Sequence, residues 1–127
     1  MARILLVEDE MLLRELALED LSDAGFEVVA AGNGDEALAI LQGDCAFDLL
    51  FTDIKMPGTV DGYGLATEAG KLIPDLMVIY ASGLADAGTR SPNERTLSKP
   101  YSREMLLALL TELEIAPSRP AAAPWSP

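Results

Sequence analysis

Residues 3–10 are RILLVEDE, in which four consecutive apolar side chains end abruptly at three acids. A short apolar run that includes β-branched residues is typical of a strand buried on both faces, the kind found in parallel sheets. Residues 48–53 are DLLFTD and repeat the arrangement, since an apolar run again ends at an acid. These two runs predict buried strands with carboxylates at their carboxyl ends.

Outward from these runs, strand-like and helix-like segments alternate along the chain. The predicted strands are short apolar runs, at 3–7, 26–30, 48–52, 76–81 and 96–98. The predicted helices have apolar residues at helical spacing, at 11–24, from a cap at Asn33 or Asp35 to about Gly43, at 63–72, and at 104–113 after a cap at Ser102. The alternation implies βαβ units with right-handed crossovers, and hence an α/β three-layer sandwich with a mostly parallel sheet.

The length of the chain fits one domain. Its 127 residues are 50% hydrophobic, which is enough for a single core. We predict that this domain spans residues 1–115. Residues 116–127 contain four prolines and four alanines, a composition that predicts a disordered tail or the stub of a linker.

The composition excludes several classes of function. There are 21 acidic and 9 basic residues, and the net charge of −12 disfavours binding to nucleic acid or to an anionic membrane. The absence of histidine removes every His-based catalytic or metal site, and the single cysteine, Cys45, excludes an internal disulfide. No apolar run approaches the roughly 20 residues of a membrane span, and no signal peptide is visible. We therefore expect a cytoplasmic domain whose chemistry depends on carboxylates, hydroxyls, lysine and backbone.

Polar side chains with complementary chemistry follow four of the predicted strands. Glu8 and Asp9 follow the first strand, Asp53 the third, Ser82 the fourth and Lys99 the fifth. Ligands of open parallel sheets bind beyond the carboxyl ends of the strands, so we expect these groups to share one site. Three crowded carboxylates repel one another by about 4 kcal/mol per pair at ~4 Å and an effective dielectric of ~20. Such a cluster needs a cation, and hard oxygen ligands suit Mg²⁺.

A metal ion and a lysine beside a free carboxylate are suited to phosphoryl transfer, because together they offset the charge of an incoming phosphoryl group. Asp53 is then the candidate nucleophile, forming an acyl phosphate. Ser82 can donate a hydrogen bond to a phosphoryl oxygen, and Gly83 beside it leaves the approach open.

In this order and spacing, the residues resemble the receiver domains of two-component response regulators. The resemblance covers residues 2 to about 114. Besides the strand-end residues, its motifs are Met56-Pro57, Asp61-Gly62 and Lys99-Pro100-Tyr101. It implies a flavodoxin-like fold with a five-stranded parallel sheet of order 2-1-3-4-5, and a cis peptide bond at Lys99-Pro100.

The resemblance also implies a function. Asp53 would accept a phosphoryl group from the phosphohistidine of a sensor histidine kinase or phosphotransfer protein, and the domain would then change its contacts with an unknown downstream protein. Mg²⁺ would be held by Glu8, Asp9, Asp53 and the backbone carbonyl of Lys55. Ser82 would be the switch hydroxyl and Lys99 would pair with the phosphate. The domain would be a signalling switch, a monomer or weak dimer, rather than an enzyme.

Three features depart from the family pattern. Thr96 stands where the family often has an aromatic residue. Only 16 residues separate Ser82 from Lys99, so we expect the family's fourth helix to be short or irregular and residues 85–95 to change order on switching. Lys55 occupies a variable position two residues after the phosphoacceptor.

Other interpretations remain open. Residues 80–83, YASG, look like the Phe-Ala-Thr-Gly stretch of a receiver subgroup with a reduced fourth helix. A degenerate receiver could act only as a binding module. A haloacid-dehalogenase-type phosphatase also uses a strand-end Asp, Mg²⁺ and a lysine, but that class has a second acid where this chain has Lys55. Asp61 is expected to cap a helix, and the apolar stripe of the first helix is expected to be core: Leu12, Leu13, Leu16, Ala17 and Leu21.

Overall fold

The structure is a computed structural model that describes residues 2–83 and 92–116. Within them, strands and helices alternate as far as the fourth strand. The elements are β1 (Arg3–Val7), α1 (Met11–Asp23), β2 (Glu27–Ala31), α2 (Gly34–Gly43), β3 (Leu49–Asp53), α3 (Gly62–Leu72), β4 (Met77–Ser82), β5 (Glu94–Ser98) and α4 (Arg103–Glu112). Every paired strand is parallel and the order is β2-β1-β3-β4-β5, which confirms the predicted flavodoxin-like sheet.

The sheet separates two apolar clusters, because successive side chains of a strand point to opposite faces. In the central strand β3, Leu49 and Phe51 pack with α1 and α4, while Leu50 packs with α2 and α3. All five residues of β3 are buried. The strand therefore lies in the middle of the three layers. Its last residue, Asp53, lies at the edge of the core where the carboxyl ends of the strands meet.

The helix starts follow from side-chain caps. Asn33, Asp61 and Ser102 each accept a hydrogen bond from the amide three residues later, at 2.8, 2.8 and 3.1 Å. Such caps satisfy one of the free amides of a first helical turn. Asn33 rather than Asp35 is thus the cap of α2, and the predicted capping roles of Asp61 and Ser102 are confirmed.

Strand β5 begins two residues earlier than predicted. Glu94 and Arg95 pair with Val78 and Ile79 of β4, so the prediction that β5 starts at Thr96 was wrong. The buried Glu94 carboxylate accepts a hydrogen bond from the Tyr80 hydroxyl at 2.8 Å, which offsets part of the cost of burying a charge. This partner lies 14 residues away, so local sequence pattern gave no sign of it.

The apolar stripe of α1 is only partly core. Ala17 and Leu21 are buried, but the side chains of Leu12 and Leu16 are 68% and 51% exposed. The prediction that the stripe is chiefly core was therefore wrong for these two leucines. Leu16 lines a groove with the loop after β5, where Tyr101 forms part of the opposite wall.

Two predictions lie largely outside the described residues. The expected short fourth helix and order change concern residues 85–95, of which only 92–95 are described, as a turn and the start of β5. The expected tail begins at residue 116, the last one described. Among the described helices, none is long and apolar enough to cross a membrane.

Candidate functional site

The carboxyl ends of the strands meet at an open cleft of about 470 Å³. The structure brings five predicted residues or their loops to its walls: Asp9, Asp53, Lys55, Ser82 and Lys99. The sixth, Glu8, lies behind Lys99 and is only 4% exposed. The two acids that follow β1 thus differ, because Asp9 is exposed to the cleft while Glu8 is buried beneath it.

Backbone hydrogen bonds place the residues that follow the strands. The Glu8 amide donates to the Ala31 carbonyl at 3.1 Å, and the Lys99 amide donates to the Ser82 carbonyl at 2.7 Å. Each bond extends a ladder by one step beyond a strand. The Lys99-Pro100 peptide bond is cis, as the family resemblance implied. The lysine side chain extends from the end of β5 to Asp53 at the end of β3.

Lys99 links the two buried acids. Its ammonium nitrogen lies 2.9 Å from Glu8 Oε1 and 2.6 Å from Asp53 Oδ1. Asp53 Oδ1 is buried without a hydrogen bond of good geometry, so its contact with Lys99 is an ion pair of poor alignment. The second oxygen of Glu8 accepts a hydrogen bond from the Glu10 amide at 3.1 Å. Glu8 is therefore held on both sides, whereas Asp53 keeps capacity for a further ligand.

The two buried acids differ in acidity. Burial and the neighbouring Glu8 raise the pKa of Asp53 while Lys99 opposes the shift, and the net result is a pKa of about 8. Burial also acts to raise the pKa of Glu8, but hydrogen bonds with Asp53, the Glu10 amide and Lys99 outweigh it and the pKa is lowered. The pKa of Lys99 is raised: burial opposes this, but both acids favour the charged form. Without a cation, Asp53 is therefore the acid of the pair that binds a proton more tightly.

The residues present fit a hard divalent cation. Glu8, Asp9 and Asp53 each offer one carboxylate oxygen, and these oxygens lie within 4.8 Å of one another. The buried Oδ1 of Asp53, which lacks a well-aligned hydrogen bond, is available to ligate a cation. Carboxylates with room for water are the donor set that Mg²⁺ takes.

Titration of Asp53 has a consequence for stability. Its pKa is about 8 in the folded chain against an ordinary 3.8, so the folded state binds the proton more tightly. The free energy of unfolding then decreases as pH rises from about 4 to about 8. In EDTA, we expect Asp53→Asn to remove this slope and to be more stable than the wild type at pH 8, on the order of 2 kcal/mol.

Urea denaturation at pH 5 and pH 8 with EDTA measures this difference. Asp75→Asn, which neutralises an exposed acid in the turn before β4, is the matched control and should keep the slope of the wild type. Equal slopes for Asp53→Asn and the wild type would show that the Asp53 carboxyl is not perturbed by burial.

One aromatic residue that lines the cleft was missed by sequence reasoning. Tyr63 lines the cleft, and its ring centroid lies 4.9 Å from that of the buried Tyr80. The cap at Asp61 starts α3 beside the end of β3, and this was the one available signal that Tyr63 would reach the cleft.

Comparisons with known proteins agree with the fold and show the family of the chain. A family model for the response regulator receiver domain matches residues 4–111, so the chain belongs to that family. It is therefore a receiver domain of two-component signalling, a class of phosphoacceptor that works as a signalling switch.

Individual relatives give the same result. The chain is 35% identical over 121 residues to the response regulator receiver protein CpdR of Brucella abortus, covering 91% of this chain and 99% of CpdR. It is 36% identical over 120 residues to the sensor kinase CckA of the same organism, covering 88% of this chain but 12% of the kinase. A solved structure of the response regulator TrrA from Thermotoga maritima, in complex with Mg²⁺-BeF, has a TM-score of 0.77 and 32% identity, and the match covers 89% of this chain and 99% of that one.

Proposed function

We propose that Asp53 is the phosphoacceptor and that Glu8, Asp9, Asp53 and the Lys55 backbone carbonyl hold Mg²⁺. The single observation that carries the proposal is the position of Asp53. It is buried at the end of the central strand, faces the cleft and lies 2.6 Å from Lys99. A carboxylate in that position can meet a phosphoryl group together with the positive charge that the group requires.

The donor is the phosphohistidine of a sensor histidine kinase or a phosphotransfer protein. A carboxylate oxygen of Asp53 attacks the phosphorus, the phosphorus–nitrogen bond of the donor breaks, and the imidazole leaves. For this, Asp53 must be ionised, whereas its raised pKa favours the protonated form. A bound Mg²⁺ supplies charge that offsets the phosphoryl oxygens and favours the ionised carboxylate.

The other residues of the cleft act after transfer. Lys99 reaches the phosphoryl oxygens by turning from the carboxylate that it now contacts, and Ser82 donates its hydroxyl to one of them. Both lie at the ends of the adjacent strands β4 and β5, so their movement alters the surface that these strands present to a downstream protein. Thr96, in the place of the family's frequent aromatic residue, makes the usual ring movement unavailable at that position.

The proposal also covers the roles of the domain and of the residues that follow it. Residues 1–115 form a receiver that works in the cytoplasm as a monomer or weak dimer, and residues 116–127 serve as a tail or linker. Apart from its own phosphorylation and slow dephosphorylation, the domain catalyses no reaction. The similarity to part of a sensor kinase supports a kinase or phosphotransfer protein as partner.

Intact-protein mass after incubation with acetyl phosphate and Mg²⁺ tests this function. We expect a gain of one phosphoryl mass in the wild type and in the control Asp75→Asn, and none in Asp53→Asn or in EDTA. An equal gain in Asp53→Asn would refute the assignment of the phosphoacceptor. A full gain in EDTA would refute the role of the metal ion.

A further inference from the structure

The loop from Ile54 to Asp61 joins β3 to α3 and carries the Lys55 carbonyl. Hydrogen bonds hold this loop at its base and at its tip. At its base, the Gly62 amide donates to the Ile54 carbonyl at 2.7 Å. At its tip, the loop is held by helix α2. Asp35, in the first turn of that helix, accepts two hydrogen bonds from Thr59. These two residues are 24 positions apart in the chain.

The contact at the tip is bidentate. Asp35 Oδ2 accepts from the Thr59 amide at 3.0 Å, and Oδ1 accepts from the Thr59 hydroxyl at 2.5 Å. These bonds lower the pKa of Asp35, so the carboxylate stays ionised as the acceptor of both. A charged acceptor that bonds to a backbone amide fixes the position of the main chain, and not only of a side chain.

Two glycines make this close approach possible. A β-carbon at Gly58, where φ is +106°, would lie 2.5 Å from Asp35 Oδ2. A β-carbon at Gly34 would lie 3.1 Å from the carbonyl carbon of Val60 and closer still to its oxygen. The N-terminus of α2 and the tip of the loop are therefore in contact at three consecutive positions of the loop, 58 to 60.

We propose that Asp35 is a positioning residue for the cation site: by holding Thr59, it keeps the loop in the conformation that places the Lys55 carbonyl at the cleft. This inference rests on the proposed function, in which that carbonyl is a ligand. Asp35 itself is not among the residues that line the cleft. Its effect is thus exerted through the main chain of the loop, as supporting groups act on the groups that ligate metals.

Calorimetric titration of the metal-free protein with Mg²⁺ measures the effect. We expect Asp35→Ala to raise the dissociation constant for Mg²⁺ about fivefold, because the loop must then be ordered by the ion. Thr59→Val, which removes the hydroxyl donor, should raise this constant by less. Thr59→Ser should bind Mg²⁺ as the wild type does. Adding Thr59→Val to Asp35→Ala should have no further effect, since the bond is already lost.

Glu36→Ala is the matched control. It removes the same charge from the same helical turn, but Glu36 contacts the Gly32 amide rather than the loop. Its Mg²⁺ affinity should stay within about twofold of the wild type, since general electrostatic effects of one exposed charge are small. Amide exchange at residues 55 and 59, followed in EDTA, should be faster in Asp35→Ala and unchanged in Glu36→Ala.

The outcomes separate this inference from the function on which it rests. If the wild type binds Mg²⁺ but Asp35→Ala binds it as Glu36→Ala does, the positioning role is refuted and the proposed function stands. Faster amide exchange without a change in affinity refutes it equally, because the contact is then only structural. If the wild type binds no Mg²⁺, both the inference and the metal-dependent function are refuted.

Discussion

Gly62→Ala is expected to lower the free energy of unfolding by about 3 kcal/mol. A β-carbon at Gly62 would lie 2.8 Å from the Cα of Ile54 and 2.9 Å from the carbonyl carbon of Asp53, and closer still to the Asp53 oxygen. All of these atoms belong to the main chain, so no flexible side chain can move aside. The added methyl group must displace either the start of α3 or the end of β3, where the candidate phosphoacceptor lies.

Gly70→Ala provides the matched control within the same helix. A β-carbon at Gly70 would meet nothing within 4 Å. Replacing an exposed helical glycine by alanine should stabilise the chain by about 0.5–1 kcal/mol. Urea denaturation in EDTA measures both variants. If Gly62→Ala proved as stable as the wild type, the close packing of α3 against the end of β3 would be contradicted.

Lys99→Met is expected to slow phosphoryl uptake from acetyl phosphate by about 100-fold or more. In the part of the chain that the structure describes, Lys99 is the one cation in ion-pair contact with Asp53. It also pairs with Glu8, so its removal leaves two buried acids without a positive partner. Breaking such a pair is costly because the charge of Glu8 stays buried without its partner, so the variant should also unfold at a lower urea concentration than the wild type.

The rate of phosphoryl mass gain at fixed Mg²⁺ measures this prediction. Lys71→Met is the control, because the Lys71 side chain is 68% exposed and, among the residues that the structure describes, its one ion pair is with Glu68 on the same helix. Lys99→Arg retains the positive charge but not the compact ammonium group. Its rate of phosphoryl mass gain should therefore lie between those of the wild type and Lys99→Met. A rate for Lys99→Met within about twofold of that for Lys71→Met would refute a role for Lys99 in phosphoryl transfer.

The strand ends of the site were predictable because each is marked by a local signal. An apolar run that stops at an acid, as at Asp53, places the acid at the end of a buried strand whatever the rest of the chain does. The helix caps at Asn33 and Asp61 are equally local, since each cap and its partner amide are three residues apart. The family resemblance then supplied the strand order, which no local signal contains.

What the sequence did not reveal depends on distant contacts. Strand β5 starts at Glu94, whose buried carboxylate accepts a hydrogen bond from Tyr80, and no periodicity marks that contact. The link between Asp35 and Thr59 joins a helix to a loop 24 residues later, whereas the sequence marks Asp35 only as one of two candidate caps of α2. Leu16 has the spacing of a core residue, but its side chain is 51% exposed.

The central claim is that Asp53 carries the phosphoryl group. Borohydride reduces an acyl phosphate to an alcohol, so treatment of the phosphorylated protein followed by peptide mass mapping marks the modified residue. The account predicts homoserine at position 53 and unmodified acids at positions 8 and 9. Reduction at either of those acids, or a phosphoryl group that resists borohydride altogether, would contradict it.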